Sequence, residues 1–278
     1  MGVQTYLINL EKDRERLAAT KAQLDALAMP FERVDAIHGT DMPEWIRPYF
    51  LDDRGKIASG LLPGEVGCYA SHLLVLRRIA ERDQPALVLE DDVEIAPDFP
   101  DVFNSLLTMP VGWEIIRLTN PYKRGYVRIS SVNTNYDVVK FVNVPPDTGA
   151  YFISPEGARK FLNWKGKRTQ AVDQDLRRIW DHKLTTYGIH PRPILPGTGR
   201  SSIDGMSKRA SGKTYRSRSV RDAISRIAFE TRWLGFEVWA RSLLYSGSFL
   251  APTKQPRDVA RTRHSTDSKS VKMSGDGL

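Results

Sequence analysis

The sequence has a single cysteine, Cys68, in 278 residues. One thiol cannot close an internal disulfide, which excludes a cystine-stapled scaffold and points to a reducing compartment. Long apolar runs are also missing. No stretch approaches the ~18 residues that a membrane-crossing helix needs, so no such helix is expected. The N-terminus lacks a basic head followed by an apolar stretch, and Met1 leads within a few residues into a strand-like segment, so a cleaved signal peptide is not expected. No internal repeat is visible. What remains is ordinary for a soluble globular chain: 41% hydrophobic and 27% charged residues, at a length that suits one large domain or two modest ones.

Net positive charge is missing from most of the chain and concentrated at one end. The formal net charge is +8, yet residues 1–204 carry 26 Lys+Arg against 27 Asp+Glu, and residues 205–278 carry 15 against 6. The sequence therefore divides into a near-neutral body (1–204), a basic and aromatic extension (205–252) and a basic tail (253–278). The tail is rich in Ser, Thr, Arg and Lys with hardly any large apolar groups, so it is expected to be disordered. The extension contains Phe229, Trp233, Phe236, Trp239, Tyr245 and Phe249. On a helical wheel Arg226, Glu230, Glu237 and Arg241 form a narrow polar stripe, so a helix here must bury its remaining face, against the body or in an anionic membrane surface. The flanking Arg216, Arg218 and Arg221 favour the membrane.

Along the body, Thr5–Leu10 reads as a buried strand. Glu11–Leu27 reads as a helix with Leu17, Leu24 and Leu27 on one side, and Phe31–Val34 as a second strand. This β-α-β opening predicts an α/β fold with a parallel sheet. Asp35–Gly60 reads as irregular loop over one face. Pro63-Gly64-Glu65 opens a helix to about Arg82, and Ala86–Leu89 is a short apolar strand. A helix over Asp98–Leu107 and strands over Glu114–Leu118, Tyr126–Ile129, Val138–Val142 and Gly149–Ser154 follow. Helices are then expected over Gly157–Leu162 and Val172–His182, and Leu184–Ile189 as the last strand of the body.

The most informative chemistry is where the apolar strand runs into Glu90-Asp91-Asp92. In open parallel sheets the carboxyl ends of strands line the ligand crevice. Three adjacent acids repel one another and nothing about folding asks for them. A divalent cation would relieve the repulsion, and Mg²⁺ or Mn²⁺ takes carboxylates together with substrate phosphates. The bland alternative is a solvated acidic turn. On an extended segment Glu90 and Asp92 would share a face and Asp91 would not.

Four blocks of the chain resemble glycosyltransferase family 25, the lipooligosaccharide-type glycosyltransferases that also include collagen galactosyltransferase domains. They are Tyr6-Leu7-Ile8-Asn9-Leu10 with Asp13, Arg14 and Arg16; Gly64-Glu65-Val66-Gly67-Cys68-Tyr69-Ala70-Ser71-His72; Ala86 to Val93; and Gly149 to Ala158 followed by Val172-Asp173. Together they cover about residues 3–182.

The resemblance implies a GT-A-like, Rossmann-type nucleotide-sugar domain with a mixed, mostly parallel sheet over 1–204, followed by the helical basic extension. It makes Glu90-Asp91-Asp92 a DXD-like motif, with Asp92 on Mn²⁺ (or Mg²⁺) and Glu90 facing the ribose or base. The implied reaction moves a hexose, galactose from UDP-galactose, with inversion, onto a lipopolysaccharide, lipooligosaccharide or other surface-glycan acceptor. Such a displacement needs charge stabilisation on the departing diphosphate and a base for the acceptor hydroxyl. Asp173 is the expected base, with Asp175 behind it. The competing reading of Asp173 is a first-turn acid favoured by the helix dipole.

Asn9, Arg16, His72, Glu90 and Asp91 are expected to contact the nucleotide-sugar, and His190 to join Asp92 and Glu90 as a third metal ligand. Lys208 and Arg209, after the Gly/Ser-rich 197–207 stretch, could clamp the diphosphate. The expected partners are a nucleotide-sugar, a glycan or lipid-linked glycan acceptor and an anionic membrane surface, not nucleic acid. The expected location is cytoplasmic, peripheral on the inner face of the membrane. The alternatives are a catalytically silent scaffold of the same fold and a protein that binds polyanions through its basic tail.

Overall fold

In β1 (Gln4–Asn9) Tyr6 and Ile8 point to one side and Leu7 to the other; in β3 (Ala86–Glu90) Val88 opposes Leu87 and Leu89. All are buried, so both faces of the sheet must be covered by helices. The computed structural model describes residues 3–39, 41–57, 60–109, 112–119, 125–164, 166–197 and 220–235, and these form a three-layer α/β/α body.

The remaining strands are β2 (Glu32–Asp35), β4 (Val93–Ile95), β5 (Ile115–Arg117), β6 (Tyr126–Ser131), β7 (Asp137–Phe141), β8 (Ala150–Ile153), β9 (Thr186–His190) and β10 (Ile194–Pro196). Among the described residues, eight of the ten strands join one sheet in the order β2-β1-β3-β8-β5-β9-β7-β6, and β4 pairs with β10 in a separate ribbon. Helices α1 (Arg14–Ala26) and α4 (Phe99–Leu107) cover one face, where Leu17, Leu24, Phe99 and Leu106 meet Leu7, Leu87 and Leu89. The other face is covered by α2 (Arg47–Phe50), α3 (Pro63–Arg82), α5 (Pro155–Leu162), α6 (Val172–Leu176) and α7 (Ile179–His182). The start of α3 is fixed by Pro63 and by Glu65, whose carboxylate accepts the Leu62 N–H at 2.9 Å.

Several expectations are corrected. The sheet is not mostly parallel: β1–β2, β1–β3 and β5–β9 are parallel, and β3–β8, β5–β8, β7–β9 and β6–β7 antiparallel. No crossover helix separates β6 from β7, so the chain returns directly and the two strands run antiparallel. The 35–60 stretch is no loose loop. It holds a 3₁₀ turn (Glu44–Ile46) and α2, and buries Met42, Ile46 and Phe50. The 172–182 helix is broken at Arg178, which leaves helical geometry at ψ 59° while its guanidinium turns onto Asp181. β9 is not the last strand of the body, because β10 follows it. β4 and β10 are three residues each, too short for alternation to show.

A last helix, α8 (Val220–Leu234), rests on the body: Phe229 and Trp233 join the core, and Lys140 donates to the Trp233 carbonyl at 3.2 Å and lies over its ring. Arg226 donates to Asn143 Oδ1 at 2.7 Å. Among the described residues no helix is long and apolar enough to cross a membrane. Trp239, Tyr245, Phe249, Lys208, Arg209 and the 253–278 tail lie outside the described residues.

One buried group makes the fold sensitive to acid. The His182 ring packs on Phe161 and Trp164, with centroids 4.5 and 4.9 Å away. Burial, then the charges of Arg168 and Arg178, push its pKa from 6.5 to about 3. The unfolded chain binds this proton first, so the contribution of neutral His182 is complete above pH 6.5 and is lost as the pH falls toward 3. His182→Phe keeps an aromatic ring and removes the titration. The expected outcome is a flatter dependence of Tm on pH between 6.5 and 3; an unchanged slope would contradict the assignment.

Candidate functional site at the β1/β3 crevice

From β1 the chain crosses over one face of the sheet, through α1, to β2 on one side. It then crosses over the other face, through α3, to β3 on the opposite side. The crevice outside the carboxyl ends of β1 and β3 is thus the point where the strand order reverses, the place where open α/β sheets bind ligands. A pocket lies there. It is lined by the end of β1 (Ile8, Asn9, Leu10), the start of α1 (Asp13, Arg16), the 36–39 loop, the first turns of α3 through His72, and Glu90, Asp91 and Asp92.

Small residues shape its wall. A Cβ on Gly67 would stand 2.4 Å from the Ile37 carbonyl oxygen, so only glycine lets α3 approach the 36–39 loop this closely. Ser71 completes the junction by accepting the Ile37 N–H at 2.8 Å and donating to the Gly67 carbonyl at 2.7 Å.

The three acids have different surroundings. β3 ends at Glu90 and the chain turns at Asp91-Asp92, so strand alternation stops there and all three line the pocket. This overturns the expectation that Asp91 points away. Glu90 accepts from His72 Nε2 at 3.1 Å and from Thr148. Burial alone would raise its pKa, but His72, Thr148 and Arg16 together hold it below the usual value. Asp91 is buried, 2.6 Å from Asn9 Nδ2 and 2.8 Å from Arg16 Nη2, and Thr20 donates to its carbonyl at 2.9 Å. Asp92 also meets Arg16 Nη2, at 2.7 Å. Its pKa is pushed up to about 6 by burial and by the charge of Glu90, with Arg16 opposing.

Arg16 therefore supplies part of the charge compensation expected of a cation alone. The same guanidinium also reaches Asp13 at 3.8 Å, and burial together with the charge of Glu90 raises Asp92 despite it. Glu90 and Asp92 thus fit a divalent, oxygen-preferring cation, which would remove the remaining repulsion. A second set of donor atoms lies beside them: the Cys68 thiol, the His72 ring and the Glu90 carboxylate are within 4.8 Å of one another.

The other predicted site residues divide. Asn9, Arg16 and His72 are in the pocket. His72 is fully buried, its Nδ1 held by the Tyr151 hydroxyl at 2.8 Å. Asp173 lies in the first turn of α6, partly buried, and its charge reaches Cys68 on the pocket wall. Asp175 does not join the site. It is buried away from the pocket, accepting from the Tyr69 hydroxyl at 2.5 Å beside Arg168, so its role is to hold α6 to α3. His190 is not brought to the acids either: three strand steps separate β9 from β3, and its ring packs on Tyr126, 4.4 Å between centroids.

Sequence reasoning missed Arg117 and Thr148. Arg117 ends β5 fully buried, within electrostatic reach of Asp147, Tyr151, Asp173 and Glu90, and burial lowers its pKa. The signal was the one that marked Glu90, a charge closing an apolar strand. Thr148 gave no signal, because it reaches Glu90 only through the return of β8.

The partners of Asp91 predict unequal costs. Asp91→Ala strips a buried acceptor from both Asn9 and Arg16 and is expected to lose on the order of 2–3 kcal/mol in denaturant melts. Asp92→Ala, at a more open position, is expected to lose less than about 1 kcal/mol. Equal losses would contradict the distinction.

Comparison with known proteins follows the same residues. The family model described as glycosyltransferase family 25 (LPS biosynthesis protein) matches residues 3–176. Procollagen galactosyltransferase 1-B of Xenopus laevis is 30% identical over 207 residues, covering 67% of this chain and 33% of the relative. Procollagen galactosyltransferase 2 of Mus musculus is 29% identical over 175 residues, covering 57% and 27%. The chain spans a third or less of the length of these curated relatives. Likeness to solved structures is distant: A197 from STIV has a TM-score of 0.36 at 14% identity, covering 73% of this chain and 97% of that one. The match of the family model to most of the body, over the strands and helices that build the β1/β3 pocket, shows that this chain belongs to glycosyltransferase family 25.

Proposed function

We propose that the chain is a metal-dependent, inverting hexosyltransferase that moves galactose from UDP-galactose onto a lipopolysaccharide, lipooligosaccharide or other surface-glycan acceptor. The observation that carries this reading is the acid-lined pocket at the strand switch point, where burial and the neighbouring charge of Glu90 raise Asp92. Family membership and the galactosyltransferase relatives support the reaction class and the sugar.

Glu90 and Asp92 would hold Mn²⁺ or Mg²⁺, which supplies Lewis-acid stabilisation of the leaving diphosphate when bound. Arg16 fixes Asp91 and Asp92 in place and presents a positive charge at the mouth of the pocket. Asn9 and the 36–39 loop form the wall for the nucleotide, and His72 orients Glu90 through Nε2. Asp173 accepts the proton of the acceptor hydroxyl as it attacks the anomeric carbon. The +9 excess of charge after residue 204 supports a cytoplasmic location at the inner, anionic face of a membrane.

The test is transfer from a panel of UDP-sugars with Mn²⁺. Asp92→Ala is expected to abolish metal-stimulated transfer. Asp173→Asn is expected to lower kcat by roughly 10²–10⁴-fold with UDP affinity retained. Full transfer by Asp92→Ala would overturn the metal assignment, and full transfer by Asp173→Asn the base.

A further inference from the structure

Cys68 and His72 are four residues apart and therefore share a face of α3, and Glu90 reaches them from the end of β3. One donor atom from each lies within 4.8 Å of the others, and His72 Nε2 already stands 3.1 Å from Glu90 Oε1. Bonds of ~2.0–2.3 Å around a tetrahedral zinc ion place neighbouring ligand atoms about 3.5 Å apart. Closing this triad on such an ion thus needs side-chain shifts of about 1 Å, with no movement of the helix or the strand.

The chemistry of the set differs from that of Glu90 and Asp92. Sulfur, imidazole nitrogen and one carboxylate suit Zn²⁺ or Cd²⁺, whereas Mg²⁺ and Mn²⁺ prefer oxygen throughout. The Tyr151 hydroxyl at 2.8 Å from Nδ1 fixes the ring with Nε2 toward Glu90, the outer-shell support typical of metal-bound histidine. All three residues line the pocket, so an ion can enter from it and keep one coordination position facing it. Burial and the charges of Glu90, Asp173, Asp92 and Glu65 keep the free Cys68 thiol protonated. A dication at the same point reverses that balance, and the thiol proton passes to solvent as the sulfur–metal bond forms.

We infer that Cys68, His72 and Glu90 form a second metal site, selective for soft divalent ions, which shares Glu90 with the oxygen site and so makes zinc an inhibitor of the proposed transfer. Only the inhibition rests on the proposed function; the site stands on its own geometry.

Cysteine occurs once in the chain, so a thiolate–metal signal can arise only from Cys68. The experiment titrates Cd²⁺ into the chelator-treated full chain and follows the ultraviolet thiolate-to-cadmium charge-transfer band. One equivalent is expected to saturate the band in the natural protein. Cys68→Ser is expected to abolish it, and His72→Gln and Glu90→Gln each to weaken binding at least tenfold, with circular dichroism confirming that the variants are folded. Absence of the band, or affinity unchanged in both folded His72 and Glu90 variants, would overturn the site. If either of these two variants fails to fold, the other decides. In the transfer assay with Mn²⁺, Zn²⁺ is expected to inhibit the natural protein and to be at least tenfold weaker against Cys68→Ser. Equal inhibition would overturn the competition, and absence of turnover would count against the proposed function while the cadmium band still decides the site.

Discussion

Three carboxylates on consecutive residues can share a crevice only if something offsets their mutual repulsion, and much of this protein's architecture serves that purpose. Arg16 spans Asp91 and Asp92, Asn9 binds Asp91, and His72 and Thr148 bind Glu90. These groups come from α1, β1, α3 and the segment before β8, so the same contacts that quieten the acids also tie four parts of the fold to the end of β3. The residue left least satisfied is Asp92, and the least satisfied group is where a cation gains most.

The geometry follows from the reversal of strand order. Crossovers to opposite sides of β1 open a crevice between β1 and β3, and the first turns of α3 form its wall. Gly67 and Ser71 let that wall stand close to the 36–39 loop, which gives the glycine and serine of the Gly64–His72 block a physical reason. The ribbon of β4 and β10 is tied to the acid cluster by the Gly197 N–H, which bonds the Asp92 carbonyl.

What the sequence revealed depended on the range of the signal. Buried apolar strands and the α3 start were legible because alternation and capping are local. So was the acid cluster, because a charge run at the end of an apolar strand is conspicuous. The pairing of β8 between β3 and β5 was not legible, since direction is set by connections of no fixed pattern. For the same reason Thr148 and the buried partners of Asp175 were invisible. Asp175 was placed behind Asp173 as a candidate base, but Tyr69 and Arg168, distant in sequence, draw Asp175 into the core. Arg16 was read as a nucleotide contact, and its bridging of two carboxylates could be learned only from their proximity.

The central claim is that the pocket binds a nucleotide diphosphate through a cation held by Glu90 and Asp92. Calorimetric titration of UDP into the full chain, with Mn²⁺ and then with a chelator, tests it most directly. The account predicts binding with Mn²⁺ that falls at least tenfold when the metal is removed. Affinity for UDP that is the same in both conditions would contradict it.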